Sequence, residues 1–163
     1  MPVSPSPASP LFLREAEIRR GVELLFFGYG HLLQAVDERL AADGLGRAHH
    51  RALYFIARQP GLTVSTLLGL LGITKQSLGR ALNELTARGL VETQVGRDDR
   101  RQRLLRLTPA GTALEAELFG MLRSRLSAAY AEAGPAAVAG FWQVLEGLVP
   151  PADRPMLMKL RGG

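Results

Sequence analysis

The chain has 163 residues, of which 47% are hydrophobic and 21% charged, and its net charge is +5. This length and composition favour a helical globular protein over a disordered chain, and they argue against a second full domain. The absence of cysteine excludes disulfides, thiolate metal sites and cysteine redox chemistry.

The first thirteen residues are predicted to form a disordered tail. Prolines occupy positions 2, 5, 7 and 10, and the segment lacks the cationic start and apolar core of a signal peptide. No apolar run reaches membrane-spanning length, because the best candidate, residues 21–36, contains Glu23, His31 and Gln34. We therefore expect a soluble, cytoplasmic protein with no membrane partner.

A long helix is predicted over residues 14–41. Apolar residues recur along it every three or four positions and form one stripe: Ile18, Val22, Leu25, Tyr29, Leu32, Val36 and Leu40. Further apolar residues widen this stripe beyond one face: Leu24, Phe26, Phe27 and Leu33. A helix this broadly apolar is buried on more than one side, either in a large core or in an oligomer interface.

A helix-turn-helix pattern follows a helix predicted over residues 48–58. Thr63 is suited to cap the N-terminus of the segment VSTLLGLL, and Thr74 that of the segment KQSLGRALNELTARG. Gly72 separates the two helices, and Gly89 ends the second one. On the second helix the leucines face a core, and the opposite side carries amide, guanidinium and methyl groups from Gln76, Asn83, Arg80 and Ala87.

Two β-strands, residues 90–95 and 103–107, are predicted on either side of an arginine-rich turn. Residues 75–106 include eight basic and four acidic residues, so this fifth of the chain holds nearly all of the net positive charge. A localised basic field favours polyanions, through phosphate neutralisation and counterion release. A merely solvated charged face is the alternative interpretation.

The remaining chain is predicted to be helical. Thr108 and Pro109 can cap and open a long helix, and another helix runs from the Gly-Pro pair at 134–135 to the two prolines at 150–151. The last segment, residues 155–163, is predicted to add one turn or to fray.

Two motifs carry a resemblance to a known family. The segment ITKQSLGRALNELTARGLVE resembles a recognition helix, and DDRRQRLLRLTPAG resembles a wing signature in which the defining residues are Asp99, Arg101, Leu107, Thr108 and Gly111. Both motifs are similar to those of the MarR family of bacterial transcription regulators, and the resemblance runs from about residue 14 to 148. The segments GRAHHR and ITKQSL resemble the PetP-type subgroup of photosynthetic bacteria.

This resemblance implies a mainly α fold with a small β-hairpin wing. The implied organisation is a Pro-rich tail, an N-terminal dimerisation helix, a winged helix-turn-helix DNA-binding domain and C-terminal dimerisation helices, over residues 1–13, 14–45, 46–108 and 109–163. It further implies a homodimer that binds a pseudo-palindromic operator in double-stranded DNA, with recognition helices about 34 Å apart. A small-molecule effector is also implied, although no residue identifies it.

The recognition helix is predicted to read bases through Gln76 and Arg80, since guanidinium and amide groups pair with guanine and adenine edges. Lys75 and Ser77 are expected to hold phosphate, and Asn83 suits either role. A plain amphipathic core helix is the alternative, although its polar face would usually carry more Glu.

In the wing, the resemblance places Arg101 in or beside the minor groove, with Asp99 fixing its direction. The phosphate contacts are assigned to Arg97, Arg100 and Arg103. A solvated turn of self-neutralising ion pairs is the alternative.

No metal, cofactor or enzymatic activity is expected. His31, His49 and His50 invite a metal interpretation, but adjacent histidines diverge by about 100° on a helix and nothing completes a ligand spacing. We therefore expect buried or interface histidines that bond to backbone. The side chains of Glu115 and Glu117 diverge, and neither a phosphate-binding glycine loop nor a nucleophile with its base is present.

A winged-helix module that binds protein is the competing function.

Overall fold

The structure is a computed structural model that describes residues 10–161. Its seven helices are α1 (Glu15–Ala41), α2 (Arg47–Arg58), α3 (Val64–Leu71), α4 (Lys75–Ala87), α5 (Pro109–Ala133), α6 (Pro135–Leu148) and α7 (Arg154–Arg161). Its three strands are β1 (Leu62–Thr63), β2 (Val91–Val95) and β3 (Arg103–Leu107). This mainly helical architecture with a small antiparallel sheet confirms the predicted fold class.

The N-terminal tail differs in part from its prediction. Leu11–Leu13, the last residues of the segment predicted as disordered, form one turn of 3-10 helix immediately before α1. The Leu13 N–H donates to the Pro10 carbonyl at 2.7 Å, and this local bond closes the turn. Residues 1–9 lie outside the described part of the chain.

The helix-turn-helix forms as its capping residues predicted. Thr63 Oγ1 accepts a hydrogen bond from the Thr66 N–H, and Thr74 Oγ1 accepts one from the Ser77 N–H, each at 3.1 Å. Gly72 ends α3 in the left-handed region, with φ of 59°. Since only glycine adopts this conformation at little cost, the chain turns there directly into the second helix.

The apolar faces of α2, α3 and α4 and the sheet enclose one core. Its fully buried leucines come from each of these elements, from the C-terminal half of α1 and from α5: Leu40, Leu53, Leu67, Leu78, Leu85, Leu105 and Leu118. Burial of a leucine side chain stabilises a fold by about 1.5–3 kcal/mol, so this cluster fixes the orientation of α4 on the molecule.

The predicted hairpin pairs β2 with β3, with Val91 opposite Leu107 and Val95 opposite Arg103. A third strand, β1, pairs with the other edge of β3 and was not predicted. A strand of two residues is too short to show a period-2 pattern, and β1 is defined only by its pairing with β3. Its backbone pairing begins next to Gly61, whose N–H donates to the Leu105 carbonyl at 2.8 Å.

The two halves of α1 have different surroundings. Val36 and Leu40, in the C-terminal half, are completely buried against the core. In the N-terminal half Phe26 is 75% exposed and Phe27 69% exposed, and Ile18 is exposed as well. The stripe predicted from the sequence is therefore buried within this chain only at one end.

The C-terminal segment is more regular than predicted. Residues 154–161 form an eight-residue helix, α7, where one turn or fraying was expected. Two long-range contacts hold it: the Arg58 guanidinium donates to the Leu160 carbonyl, and Arg161 pairs with Glu146. Neither contact is visible in the local sequence. Among residues 10–161, no helix is both long and apolar enough to cross a membrane.

Candidate nucleic-acid interface

The predicted recognition residues all lie on the exposed side of α4. The buried side consists of Leu78, Ala81, Leu82 and Leu85, which pack into the core. The structure brings together on the opposite, exposed side Lys75, Gln76, Ser77, Arg80 and Asn83. This face offers cationic, amide and hydroxyl groups, which are the groups that bind phosphates and base edges.

The N-terminus of α4 is suited to an anion. Its first turn contains no acidic residue, and Lys75 is exposed at its start. The Thr74 hydroxyl donates to Ser77 Oγ at 2.9 Å, which leaves the Ser77 hydroxyl proton free for an outside acceptor. The helix dipole adds partial positive charge at the same place.

The wing is a tight turn with one arginine held outwards. Asp99 Oδ1 accepts hydrogen bonds from the Arg101 backbone N–H at 2.9 Å and from Arg101 Nε at 3.2 Å. The Arg101 side chain is nevertheless 91% exposed. Asp99 therefore orients this guanidinium without covering it, as the wing motif predicted.

Backbone contacts make the turn compact. The Gln102 N–H donates to the Asp99 carbonyl at 3.0 Å, and the Gly96 N–H donates to the Gln102 carbonyl at 3.1 Å. A Cβ on Gly96 would lie 2.6 Å from the Asp99 carbonyl oxygen, so only glycine fits here without displacement of the turn.

The other wing arginines surround this tip. Arg97, Arg100 and Arg103 are exposed, and Arg103 Nη1 donates to the Arg100 carbonyl at 3.3 Å. Among the residues that the structure describes, none of the three forms an ion pair within 4.0 Å. These three guanidinium groups therefore form no contact pair with a wing aspartate, whereas Arg101 pairs with Asp99.

The end of the wing signature attaches the wing to α5. Thr108 Oγ1 accepts from the Gly111 N–H at 3.0 Å, and its hydroxyl donates to the Gly89 carbonyl at 2.5 Å. A Cβ on Gly111 would lie 1.9 Å from the Leu90 carbonyl oxygen. Thr108 and Gly111 thus join the end of α4, the hairpin and α5 at one point.

Some supporting residues were missed by the sequence analysis. Arg51 Nη2 donates to the Leu71 carbonyl at 2.8 Å and so satisfies the C-terminal end of α3. His49 Nε2 lies 2.6 Å from Glu84 Oε2 and connects α2 to α4. Both contacts join residues that are distant in sequence, and no local pattern signals them.

The three histidines have separate environments. His49 bonds to backbone, as expected, since its Nδ1 accepts from the Gly46 N–H at 3.0 Å. His50 is buried, and burial lowers the pKa of its imidazole. The negative charge of Asp37 opposes this shift, and the positive charge of Arg51 adds to it. His31 is exposed on α1 and makes no side-chain hydrogen bond within residues 10–161, so of the two expected settings, buried or at an interface, a single chain excludes the first and leaves the second as a prediction.

The carboxylates of α5 do not converge. Glu117 accepts a hydrogen bond from Arg39 at 2.7 Å, whereas burial raises the pKa of Glu115 and the charge of Arg58 partly opposes that rise. Within the described residues, no group of three or more histidines and carboxylates is arranged to hold a metal ion.

A cleft of about 450 Å³ lies where α1 and α5 meet the end of α4. Arg39 lines it and pairs with both Glu117 and Asp43 at 2.7 Å. Arg88, from the end of the recognition helix, lines the same cleft. A ligand in this cleft would touch α1, α5 and the end of α4 together.

Comparison with known proteins agrees with this geometry. A sequence profile described as MarR family matches residues 43–102. The regulator PetP of Rhodobacter capsulatus is 51% identical over 151 residues, which cover 93% of this chain and 91% of that protein. The similarity to PetP-type regulators predicted from the two short segments is therefore confirmed.

Solved structures share the fold. A MarR-family regulator from Silicibacter pomeroyi has a TM-score of 0.67 and 26% identity, with coverage of 82% of this chain and 88% of that one. Streptococcus pneumoniae FabT, crystallised with DNA, has a TM-score of 0.70 and 19% identity over 80% of this chain and 94% of its own. The chain therefore belongs to the MarR family of transcription regulators, which are non-enzymatic DNA-binding proteins.

Proposed function

We propose that this regulator binds a pseudo-palindromic operator in double-stranded DNA as a homodimer. The observation that carries the proposal is the exposed side of α4, whose first turn contains no carboxylate, beside a wing whose Arg101 is directed outwards by Asp99. Two proteins with this fold, FabT and a mutant of Escherichia coli MarR, were crystallised with DNA. Such a role on chromosomal DNA would place the protein in the cytoplasm.

In this proposal α4 enters the major groove. Arg80 pairs with guanine and Gln76 with adenine, because their side chains are exposed and make no hydrogen bonds within the described residues. Lys75 and Ser77, at the N-terminus of the helix, hold phosphate, and Asn83 contacts either a base or the backbone.

The wing lies along the adjacent minor groove. A narrow minor groove has a strongly negative potential, which attracts an exposed guanidinium such as that of Arg101. Arg97, Arg100 and Arg103 then contact phosphates on either side. Asp99 acts by orienting Arg101 and does not itself contact DNA.

The homodimer is supported by apolar surface that this chain leaves uncovered. The N-terminal half of α1 and the face of α6 expose large apolar side chains: Ile18, Leu24, Phe26, Phe27, Trp142, Val144 and Leu148. Apolar surface of this extent marks an interface. Because the two surfaces lie at the chain ends, a symmetric pairing would interlock the N- and C-terminal helices and present two α4 helices to successive major grooves.

The test is a fluorescence-anisotropy titration of the protein against the DNA upstream of its own gene, with scrambled DNA as the control. We expect selective binding that weakens steeply as salt rises, since each neutralised phosphate releases counterion. Equal affinity for both DNAs would contradict sequence recognition. Failure to bind either DNA would favour the alternative function, a winged-helix module that binds protein.

An effector is a further part of the proposal. One protein of this fold, PcaV of Streptomyces coelicolor, was crystallised with its natural ligand. In this chain the cleft lined by Arg39 suits a small anion, which would compete with Glu117 for the guanidinium. A thermal-shift screen of small carboxylic acids should find compounds that stabilise the wild type and not Arg39→Ala. Equal stabilisation of both proteins would place the ligand elsewhere.

A further inference from the structure

We propose that His49 holds the Glu84 carboxylate away from Arg80 and so keeps the Arg80 guanidinium available to DNA. His49 belongs to α2, whereas Arg80 and Glu84 lie four residues apart on the recognition helix α4. The inference rests on the proposed function of Arg80 at the operator. It makes His49 a positioning residue that acts through Glu84 and does not itself touch DNA.

The His49 ring is fixed at both nitrogens. Nδ1 accepts a hydrogen bond from the Gly46 backbone N–H at 3.0 Å, so the ring proton resides on Nε2. Nε2 then donates to Glu84 Oε2 at 2.6 Å. The His49 side chain is only 14% exposed, whereas that of Glu84 is 42% exposed. A nearly buried, oriented donor therefore holds a carboxylate that would otherwise be free to move in solvent.

The alternative partners of Glu84 lie on its own helix. Residues four apart on a helix are neighbours, so Glu84 is adjacent to Arg80 on one side and to Arg88 on the other. The Arg88 guanidinium points towards the α1–α2 turn, where it lies 3.6 Å from the position of a Cβ on Gly44. Arg80 is exposed and forms no ion pair within residues 10–161. A released Glu84 would therefore find Arg80 as the unengaged cation on the DNA side.

Release of Glu84 would weaken DNA binding in two ways. An ion pair with Arg80 would occupy the guanidinium that is needed at a base edge. The released carboxylate could also carry its negative charge closer to the phosphates. Both effects are electrostatic and act between groups exposed to solvent, so added salt should reduce them.

The experiment is a double-mutant cycle on operator affinity, measured by anisotropy at low salt. His49→Ala should weaken operator binding about twofold, the effect expected of an exposed ion pair between residues four apart. Glu84→Ala should bind at least as well as the wild type, and the double variant should match Glu84→Ala. The deficit of His49→Ala should shrink at high salt, and His49→Gln, whose amide can donate to Glu84, should restore affinity.

Two results would overturn the inference. If His49→Ala weakens binding equally with and without Glu84, then His49 acts through packing or through its bond to Gly46. If His49→Ala leaves affinity unchanged, then the released carboxylate does not reach Arg80. Thermal melting of each variant checks folding, with His31→Ala as the matched control and His49→Leu as a second variant that preserves side-chain volume.

Failure of the proposed function would give a different pattern, because the wild type would then bind operator and scrambled DNA equally or would bind neither. If only the proposed role of Arg80 fails, Arg80→Ala should leave operator affinity unchanged, whatever residue occupies position 49. If Arg80→Ala weakens binding, then adding His49→Ala to it should cause little further loss, because no guanidinium remains to be occupied.

Discussion

Two exposed regions of this chain differ in the chemistry that they present. The DNA face, formed by α4 and the wing, exposes arginine and amide side chains such as Arg80 and Arg101. The apolar face, formed by the N-terminal half of α1 and by α6, exposes Phe26, Phe27 and Trp142. Exposure of polar groups is stable in water, whereas exposure of so many apolar groups is not. The first region is therefore complete in one chain, and the second is the surface through which we propose that two copies pair.

The largest expected effect comes from a charge placed in the apolar face. Phe27→Asp should convert the protein to a monomer and weaken operator binding more than about a hundredfold, since an unpaired carboxylate in an apolar interface costs several kcal/mol. Analytical ultracentrifugation and anisotropy would measure both effects. Ala42→Asp, which adds the same charge at the exposed end of α1, is the control. A Phe27→Asp protein that stays dimeric would show that this face is not the interface.

The next effect concerns the junction at which the DNA face is attached to α5. Gly111→Ala should lower the free energy of unfolding by more than about 3 kcal/mol, above the usual cost of overpacking, because its Cβ would meet the Leu90 backbone carbonyl. Gly120→Ala, on the same helix, should instead raise stability by about 0.5–1 kcal/mol, because no atom lies within 4 Å of its Cβ. Denaturant unfolding of both variants tests the contrast, and equal changes would refute it.

A smaller effect separates base reading from phosphate binding on the DNA face. Arg80→Ala should cost about 1–3 kcal/mol at the operator and relax the preference at one base position. Lys159→Ala removes the same charge from α7 and should change little. Competition with operators substituted at single positions would identify the base. If Arg80→Ala loses as much affinity for unrelated DNA, the residue contacts only phosphate.

The smallest effect is a pH dependence of folding stability, which arises in the core that supports α4. Because burial lowers the pKa of His50, the unfolded chain takes up a proton first as pH falls. The stability that depends on neutral His50 is thus fully present above the ordinary histidine pKa of about 6.5. It is lost as the pH falls through the lowered pKa of His50 in the folded state. His50→Leu should therefore lose less stability than wild type between about pH 7.5 and about pH 5. His31→Asn should follow the wild type, and identical losses in all three proteins would contradict the account.

Local signals predicted the DNA face well. The caps Thr63, Thr74 and Thr108, the glycine at 89 and the pairing of Asp99 with Arg101 depend on residues within a few positions of one another. Such contacts are set by backbone geometry and side-chain chemistry that the sequence displays directly. The predicted DNA contacts themselves remain predictions.

Long-range contacts explain what the sequence analysis missed. Strand β1 exists only because β3 lies beside it, and α7 is held by Arg58 from a distant helix. The contact between His49 and Glu84 joins residues 35 positions apart. The broad apolar pattern of α1 was recognised, but only the structure shows which half of it the chain itself buries.

The most direct test of the account is an anisotropy titration of the operator, once mapped, against the same DNA with one half-site scrambled. If two DNA faces act together through the apolar interface, loss of one half-site should weaken binding by at least about a hundredfold, because each half-site contributes several base contacts worth about 1–3 kcal/mol each. Two protein chains should bind per intact operator. Equal affinity for the intact and half-scrambled DNAs would contradict the account, because it would mean that a single DNA face suffices.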